Sequence, residues 1–261
     1  MPTQTDLPAQ IKELLSQGKT EEVAEILEQL FEQTKDISFL YDKVKLYTDA
    51  KDYKSLVKTR KKIAKVCNTL SNIKNLAYYS LIIGKYKDAL KYYLQILECE
   101  GCTAENNFNI GCCYYLLKMP QEAEDYYKQA LTINPCHIQT LNNLAVVYYE
   151  NENWEDAVFL LKTALDISTN NAETFHHLGV VYRDYVKDYE LSELYLRKAI
   201  YYDRPHAENY YQLALTYMAE SQYQKAFENA QECLSRNSQD KKAKKLFKDL
   251  EKKLKKTKKT L

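Results

Sequence analysis

Apolar residues return along this chain at a nearly constant interval. Five leucine or isoleucine positions are separated by 34, 34, 34 and 35 residues, and a small residue follows each one. These five register positions are Leu76, Ile110, Leu144, Leu178 and Leu213, followed by Ala77, Gly111, Ala145, Gly179 and Ala214. Within each interval, apolar residues recur at helical spacing on both sides of a polar break. This pattern predicts two amphipathic helices per repeating unit.

Further positions repeat in phase with the register. Four units carry a tyrosine one helical turn after it: Tyr114, Tyr148, Tyr182 and Tyr217. Two slots in each second helix hold mainly small residues: Ala89, Ala123, Ala157, Ser192 and Ala226, then Ile96, Ala130, Ala164, Ala199 and Cys233. Small residues at matched heights let two helix axes approach at the near end of the usual range of about 8–10 Å. The extra residue in the longest interval, near Tyr185–Lys187, predicts a wider turn in that unit.

The period, the small-residue and tyrosine slots and the helix terminator Asn134-Pro135 resemble the tetratricopeptide repeat (TPR) family. The resemblance implies an all-α fold, a right-handed superhelical solenoid of antiparallel helix pairs whose first helices line a concave groove. Five units carry the pattern clearly, at residues 70–103, 104–137, 138–171, 172–206 and 207–240. Units must stack, because one helix pair cannot bury its apolar face alone.

The flanking segments follow the same design less strictly. Residues 1–69 are interpreted as degenerate TPR-like helix pairs, one formed by Pro8–Gln17 with Thr20–Gln33 and the other by residues 37–69. Residues 241–261 are interpreted as a basic capping helix and tail. The apolar residues of that helix share one stripe: Ala243, Leu246, Phe247, Leu250 and Leu254.

Composition narrows the class of protein. Only five glycines and five prolines among 261 residues argue against an all-β fold, which needs frequent turns. No apolar run approaches the ~20 residues of a membrane span, and the first ten residues lack a secretory-signal pattern. Seven cysteines without a disulfide-domain layout fit free thiols in a reducing compartment. We therefore expect a cytoplasmic protein without a membrane span.

Charge is uneven along the chain. The formal net charge is +1, yet residues 241–261 carry eleven lysines against Asp249 and Glu251, a local charge of +9. The first 240 residues therefore sum to −8. Only five arginines accompany 32 lysines, so bidentate phosphate or base recognition has few candidates. The composition argues against nucleic acid as the main partner and leaves the lysine-rich end as the alternative binding element.

Catalytic and metal chemistry find little support. A Cys–His catalytic pair must lie within hydrogen-bond reach, but Cys112 and Cys113 fall two units away from His176 and His177. The Cys99–Cys102 pair has CxxC spacing, but without a second such pair it is a weak zinc signature. No glycine-rich phosphate-binding loop is present. We expect no enzyme activity, no metal site and no cofactor.

The most informative residues are those immediately before each register position. They are Asn75, Asn109, Asn143, His177 and Gln212, here called the ladder residues. Their period places them at equivalent points of consecutive first helices, and an amide offers both a donor and an acceptor. Such a row can bind the backbone of an extended peptide, and it resembles the asparagine ladders of some peptide-binding TPR proteins. The alternative is that each amide only bonds its neighbouring helix backbone.

Other side chains are expected on the same groove face: Lys74, Tyr78, Phe108, Tyr115, Asn142, Tyr149, His176, Arg183 and Tyr211. This lining is largely aromatic. The carboxylate clamp found in chaperone-binding relatives is incomplete, because Tyr78 follows Lys74 where the clamp needs Asn, and Asn142 with Val146 replace its distal basic pair. The sequence thus predicts a non-enzymatic scaffold that binds a partner peptide or helix in its groove. Self-association, or membership of a multiprotein complex, is compatible with the same pattern.

Overall fold

A computed structural model describes residues 7–257, and this part of the chain is helical throughout, without strands. It contains fifteen α-helices and one π-helical turn, Tyr182–Val186. The helices are α1 Leu7–Ser16, α2 Thr20–Thr34, α3 Ser38–Asp49, α4 Tyr53–Val66, α5 Leu70–Ile82, α6 Tyr86–Glu100, α7 Ala104–Leu116, α8 Pro120–Ile133, α9 Ile138–Glu150, α10 Trp154–Ile167, α11 Ala172–Val181, α12 Tyr189–Tyr202, α13 Ala207–Ala219, α14 Tyr223–Arg236 and α15 Lys241–Thr257. The predicted all-α class is confirmed.

Local capping explains where several first helices begin. The side chains of Thr69, Thr103 and Asn171 each accept a hydrogen bond from the backbone N–H three residues further on, over 3.4, 3.1 and 2.8 Å respectively. These bonds satisfy donors that a helix leaves unpaired in its first turn. Because the three caps stand seven residues before their register positions, the repeat also fixes where each helix starts.

The chain forms two compact units, the first ending at Glu122 and the second beginning at Ala123. In the first unit, helices α2 to α5 share one apolar core. Its buried members include Phe31, Leu40, Val44, Tyr47, Leu56 and Leu76. The segment at residues 37–69, interpreted as a degenerate repeat, folds as the helix pair α3 and α4, which packs on both neighbours.

In the second unit, helices pack in the pairs α9 with α10, α11 with α12, and α13 with α14. The small-residue slots bring the paired helices close together. A Cβ atom added to Gly179 on α11 would lie 2.5 Å from Cγ of Leu196 on α12. First helices of consecutive pairs also touch, α9 with α11 and α11 with α13. The first helices of this unit therefore form one continuous face.

The extra residue of the fourth clear repeat, residues 172–206, lies inside a helix. The sequence predicted a wider turn near Tyr185–Lys187, but the structure accommodates the insertion as the π-helical turn at the end of α11. Tyr182 remains in the core, and its carbonyl accepts from the N–H of Asp188 over 3.0 Å. Asp188 then caps α12 through the N–H of Leu191 over 2.9 Å. Both ends are fixed, so the additional residue enlarges the last helical turn.

Helix α15 covers the end of the second unit. Leu246 and Leu250 join Leu213 and Tyr217 in one buried cluster. The rings of Phe227 and Phe247 pack with centroids 4.4 Å apart. Residues 1–6 and the end of the predicted tail, 258–261, lie outside the described residues.

Candidate peptide-binding surface

In the first unit, the ladder residues Asn75 and Asn109 are half-buried on α5 and α7. Each binds one turn back along its own helix. Asn75 Nδ2 donates to the carbonyl of Ser71 over 2.8 Å, and Asn109 Nδ2 donates to Glu105 Oε1 over 3.2 Å. The first contact is the helix-backbone role considered as the alternative for the ladder. The second contact orients an amide towards a carboxylate.

In the second unit, Asn143, His177 and Gln212 are also half-buried. Asn143 Nδ2 donates to the hydroxyl of Tyr127 over 3.4 Å. Gln212 Nε2 donates to Glu208 Oε1 over 2.6 Å, one turn back along α13. His177 Nε2 lies 4.0 Å from Glu173 Oε1, again one turn back. Gln212 and His177 are therefore oriented by their own helices, and Asn143 by a tyrosine of the preceding helix α8.

Two residues expected on the groove surface instead join neighbouring first helices. Asn142 is completely buried, and its Oδ1 accepts from the hydroxyl of Thr174 over 2.9 Å. His176 Nδ1 lies 2.7 Å from Oδ1 of the buried Asn209. Both bonds link a residue two before one register position to a residue four before the next. Asn142 is thus a packing residue between α9 and α11, because a polar group buried this deeply needs a partner.

Arg183 is also buried, and its guanidinium group is hydrogen-bonded to neighbouring residues. Its Nε and Nη2 donate to the two carboxylate oxygens of Asp184 over 2.7 and 2.8 Å. Its Nη1 donates to the carbonyl and to Oε1 of Gln212 over 3.1 and 2.7 Å. Arg183 therefore orients the ladder residue Gln212 and does not lie on the surface as an open cation, which corrects the expectation that it lines the groove.

The other expected lining residues are more accessible. Tyr78 is 55% exposed, whereas Phe108, Tyr115, Tyr149 and Tyr211 are half-buried. In the first unit, exposed Lys74 forms an ion pair with Glu100 over 2.7 Å. In the second unit, the Tyr149 ring lies 6.3 Å from that of His177. These residues give each unit its own aromatic surface beside its ladder residues.

Two further rows of residues repeat in phase with the register and are not among the predicted site residues. In three of the five repeats a carboxylate stands five residues before the register position, as Glu105, Glu173 and Glu208. Buried polar residues stand four before it in all five: Asn72, Asn106, Thr140, Thr174 and Asn209. The same period would have revealed both rows. Their burial could not be inferred, because only the packed structure shows which helix face is covered.

A pocket of about 250 Å³ opens in the second unit where α11 and the start of α13 approach the end of α12. Its polar lining consists of Glu173, His176, His177, Asp203, His206 and Asn209. Burial, reinforced by the adjacent His176, lowers the pKa of His177 to about 3. Burial also lowers the pKa of His176, against the opposing effect of its bond to Asn209. Both imidazoles are therefore neutral at pH 7.

All seven cysteines are free; Cys113 and Cys233 are buried, and Cys99, Cys102 and Cys136 are exposed. Burial raises the pKa of the Cys113 thiol to about 12, with Cys112 adding to the effect. Within residues 7–257, no group of three or more His, Cys, Asp or Glu side chains is arranged to hold a metal ion. None of the described helices is both long enough and apolar enough to cross a membrane.

Comparison with known families identifies the repeat. Models of the tetratricopeptide repeat match residues 107–135, 137–170, 172–206 and 207–240, together about half of the chain. The protein therefore belongs to the tetratricopeptide repeat family. No curated protein sequence matches it.

Solved structures show the same fold at low identity. A tetratricopeptide repeat protein from Parabacteroides merdae is 13% identical with a TM-score of 0.73, over 94% of this chain and 98% of that one. A chain of the APC/C hetero-tetramer Cut9–Hcn1 is 18% identical with a TM-score of 0.69. That match covers 95% of this chain but only 49% of the other, so this chain spans about half its length. PilF of Pseudomonas aeruginosa is 20% identical with a TM-score of 0.62, over 71% and 84% of the two chains.

Proposed function

We propose that this TPR protein is a non-enzymatic scaffold that holds an extended or helical segment of a partner protein against its first helices. One observation carries the proposal: the ladder residues recur in phase on consecutive first helices, and every one of them is half-buried and oriented by its own helix or a neighbour. A polar side chain that is already oriented loses little conformational freedom on binding, which favours association.

In the proposed complex, two kinds of side chain have different roles. Ladder amides such as Asn109 and Asn143 bind the partner backbone, whatever its sequence. Aromatic residues beside them, such as Phe108 and Tyr149, select which partner side chains fit, because pockets discriminate where backbone bonds do not. Asn75, which already binds its own helix backbone, contributes least. In this proposal the protein acts in the cytoplasm, as one member of a multiprotein complex.

The experiment uses a peptide selected from a random library on the intact protein. Changing Asn109 and Asn143 together to Ala removes two hydrogen bonds of about 0.5–1.5 kcal/mol each. Affinity for the selected peptide, measured by titration calorimetry, should fall roughly 5- to 150-fold. Changing Asn229 to Ala is the control, because this half-buried amide lies outside the ladder on the second helix α14 and donates to the carbonyl of Lys225 one turn back.

The melting temperature of each variant distinguishes the two roles of the ladder. Under the proposal, the double variant keeps its melting temperature and loses affinity. If the amides serve only their own helices, the melting temperature falls and affinity per folded molecule is unchanged. That second result would remove the ladder from the binding site.

A second candidate function rests on helix α15. Its exposed lysines Lys241, Lys242, Lys244, Lys245 and Lys248 have no carboxylate within 4.0 Å among the described residues. A lysine face of this kind suits a nucleic acid or an acidic protein surface, through salt-sensitive and non-specific contacts. The mildly acidic body opposes this candidate, so we rank it second.

A further inference from the structure

The pocket between α11, α12 and α13 combines two carboxylates with three histidines in its polar lining. Glu173 and Asp203 supply two carboxylates, and neither has a lysine or arginine within 4.0 Å in the described part of the chain. A histidine lies beside each carboxylate, with His177 Nε2 at 4.0 Å from Glu173 and His206 Nδ1 at 3.8 Å from Asp203.

One of the two central histidines adds an acceptor to this lining. His176 Nδ1 faces the amide oxygen of Asn209 at 2.7 Å, and an amide oxygen only accepts. His176 must therefore carry its proton on Nδ1, which leaves Nε2 as an acceptor. His177 Nε2 lies 4.0 Å from Glu173 Oε1, beyond hydrogen-bond distance, and its Nδ1 is shut off from solvent without a hydrogen-bond partner.

Two carboxylates without a lysine or arginine beside them leave negative charge in the pocket. A group that complements this lining donates several hydrogen bonds, carries positive charge and fits about 250 Å³. A metal ion does not fit this description, since the described side chains are not arranged to hold one. A guanidinium group does, because it is planar, always charged and has five donors.

We propose that this pocket receives an arginine side chain of the partner segment, with Glu173 and Asp203 neutralising the guanidinium group and accepting its hydrogen bonds. The inference rests on the proposed function and extends it, because it names a residue that the partner carries. The pocket includes the ladder residue His177, so backbone binding and arginine recognition occur at adjoining sites. The ladder is then the general element, and this pocket is a specific one.

The test uses the intact protein and four synthetic pentapeptides, Ac-Gly-Gly-X-Gly-Gly-NH2, in which X is Arg, Lys, Gln or Glu. The chain has only four histidines, so the imidazole resonances report the pocket directly by NMR. The Arg peptide should shift the His176, His177 and His206 resonances in a saturable manner. His137 begins α9 outside the pocket and serves as the internal reference.

Three variants test the assigned roles. Glu173→Gln and Asp203→Asn should each weaken Arg-peptide binding roughly tenfold, equivalent to about 1.4 kcal/mol. Glu190→Gln is the matched control, because Glu190 is an exposed carboxylate of α12 outside the pocket lining. It should leave the affinity unchanged. Far-ultraviolet circular dichroism of each variant checks that the fold is intact.

Several results would overturn the arginine pocket. Equal shifts with the Gln or Glu peptide would show that the pocket does not select positive charge. Tighter binding of the Lys peptide would assign the pocket to an ammonium group, such as the lysine-rich end of a second copy of this chain. Absence of histidine shifts with the Arg peptide, while the library-selected peptide still binds the protein, would reject the pocket and leave the proposed function standing. If the Asn109 and Asn143 double variant keeps its affinity for the library-selected peptide while the Arg peptide still shifts the histidine resonances, the ladder is rejected and the pocket stands.

Discussion

Single side chains link neighbouring first helices of the second unit, and Asn142 is the clearest case. Its amide is completely buried and accepts from Thr174 on the next first helix. Asn142→Ala should lower the free energy of unfolding by about 0.5–1.5 kcal/mol, because the hydrogen bond between the two first helices is lost while the Thr174 hydroxyl keeps Asn171 Oδ1 as an acceptor at 2.9 Å. Chemical denaturation followed by circular dichroism measures this change. Gln139→Ala, an exposed change on the same helix, should stay within about 0.5 kcal/mol; equal losses in both would contradict the packing role.

His177 makes the stability of the protein depend on pH. In the unfolded chain a histidine has a pKa near 6.5, whereas burial lowers the pKa of His177 in the folded protein to about 3. Below about pH 6.5 the unfolded state therefore binds more protons, and stability falls as pH decreases. Between pH 6.5 and pH 5 this one group should lower the free energy of unfolding by about 2 kcal/mol.

Replacing the imidazole isolates this contribution. His177→Phe should reduce the loss of stability between pH 6.5 and pH 5 by about that amount, measured by urea denaturation at each pH. His206→Gln is the control, because His206 is exposed. Carboxylates with a lowered pKa, such as Glu193, lose their contribution at lower pH than this window. An unchanged pH dependence in His177→Phe would show that the ring is protonated without cost.

At the scale of single residues, the sequence predicts which positions repeat but not which of them the packed helices bury. The small slots are predictable, since Gly179 and its equivalents repeat in phase with the register. The bond from Asn142 to Thr174 is not, because both residues are common on exposed surfaces and their burial depends on how far apart consecutive first helices lie. The ladder residues were placed on the correct helices, but their contacts with Glu105 and Glu208 needed the structure.

At the scale of the helix pair, Gly179 sets the distance between α11 and α12. Ala is favoured over Gly in a helix by about 1 kcal/mol, but here its Cβ would meet Leu196 Cγ at 2.5 Å. Gly179→Ala should therefore destabilise the protein by about 1–3 kcal/mol, because overpacking outweighs helix propensity. In the Leu196→Ala background the side-chain clash is absent and only the tight contact with the backbone N of residue 196 at 3.3 Å remains, so Gly179→Ala should cost less than in the native chain. Additive effects of the two changes in thermal denaturation would show that the helices separate easily.

The terminal helix α15 stabilises the second unit by covering its last apolar surface. Leu250 is fully buried and shares a cluster with Leu213 and Tyr217. Leu250→Ala should lower the free energy of unfolding by about 2–5 kcal/mol, the usual range for a leucine removed from a core. Lys248→Ala, on the exposed side of the same helix, is the control for helix content. If Leu250→Ala and Lys248→Ala have similarly small effects on the free energy of unfolding, α15 is only loosely packed on α14.

The π-helical turn shows where element prediction stops. The interval of 35 residues reveals an insertion, and the polar residues near Tyr185–Lys187 make a longer turn the natural expectation. The choice depended on two fixed points, Tyr182 in the core and Asp188 capping α12. With both fixed, enlarging one helical turn keeps the two helices in register, whereas a longer loop would move the cap. A repeat length locates an insertion but does not say which element absorbs it.

At the scale of the whole molecule, charge is the property that the repeat does not explain. The body carries −8 and residues 241–261 carry +9. On α15, Lys241, Lys245, Lys248 and Lys252 follow one another at steps of four, three and four residues, so they share one face of the helix. The buried residues Ala243, Leu246 and Leu250 occupy the opposite side. The lysine stripe is therefore exposed because the apolar stripe is packed.

Replacing the lysine stripe of α15 distinguishes the two candidate functions. Changing its four lysines to Gln should leave the unfolding free energy nearly unchanged, because exposed ion pairs such as Lys252 with Asp249 contribute little. Any binding of a short single-stranded oligonucleotide, measured by fluorescence anisotropy over a salt series, should weaken. The slope of log K against log salt should lose about 3 units, at roughly 0.7 per neutralised phosphate. Affinity for the library-selected peptide should not change, since the groove residues are intact.

A control with the same change in net charge shows whether position matters. Four exposed lysines on other helices serve this purpose when changed to Gln: Lys12, Lys45, Lys91 and Lys162. If the control lowers the salt slope as much as the stripe variant, oligonucleotide binding reflects overall charge and α15 is only a cap. If the stripe variant loses the selected peptide, the principal partner binds α15, and the first helices are not the binding surface. Retained peptide binding together with a selective loss of oligonucleotide binding would assign the two activities to two separate surfaces.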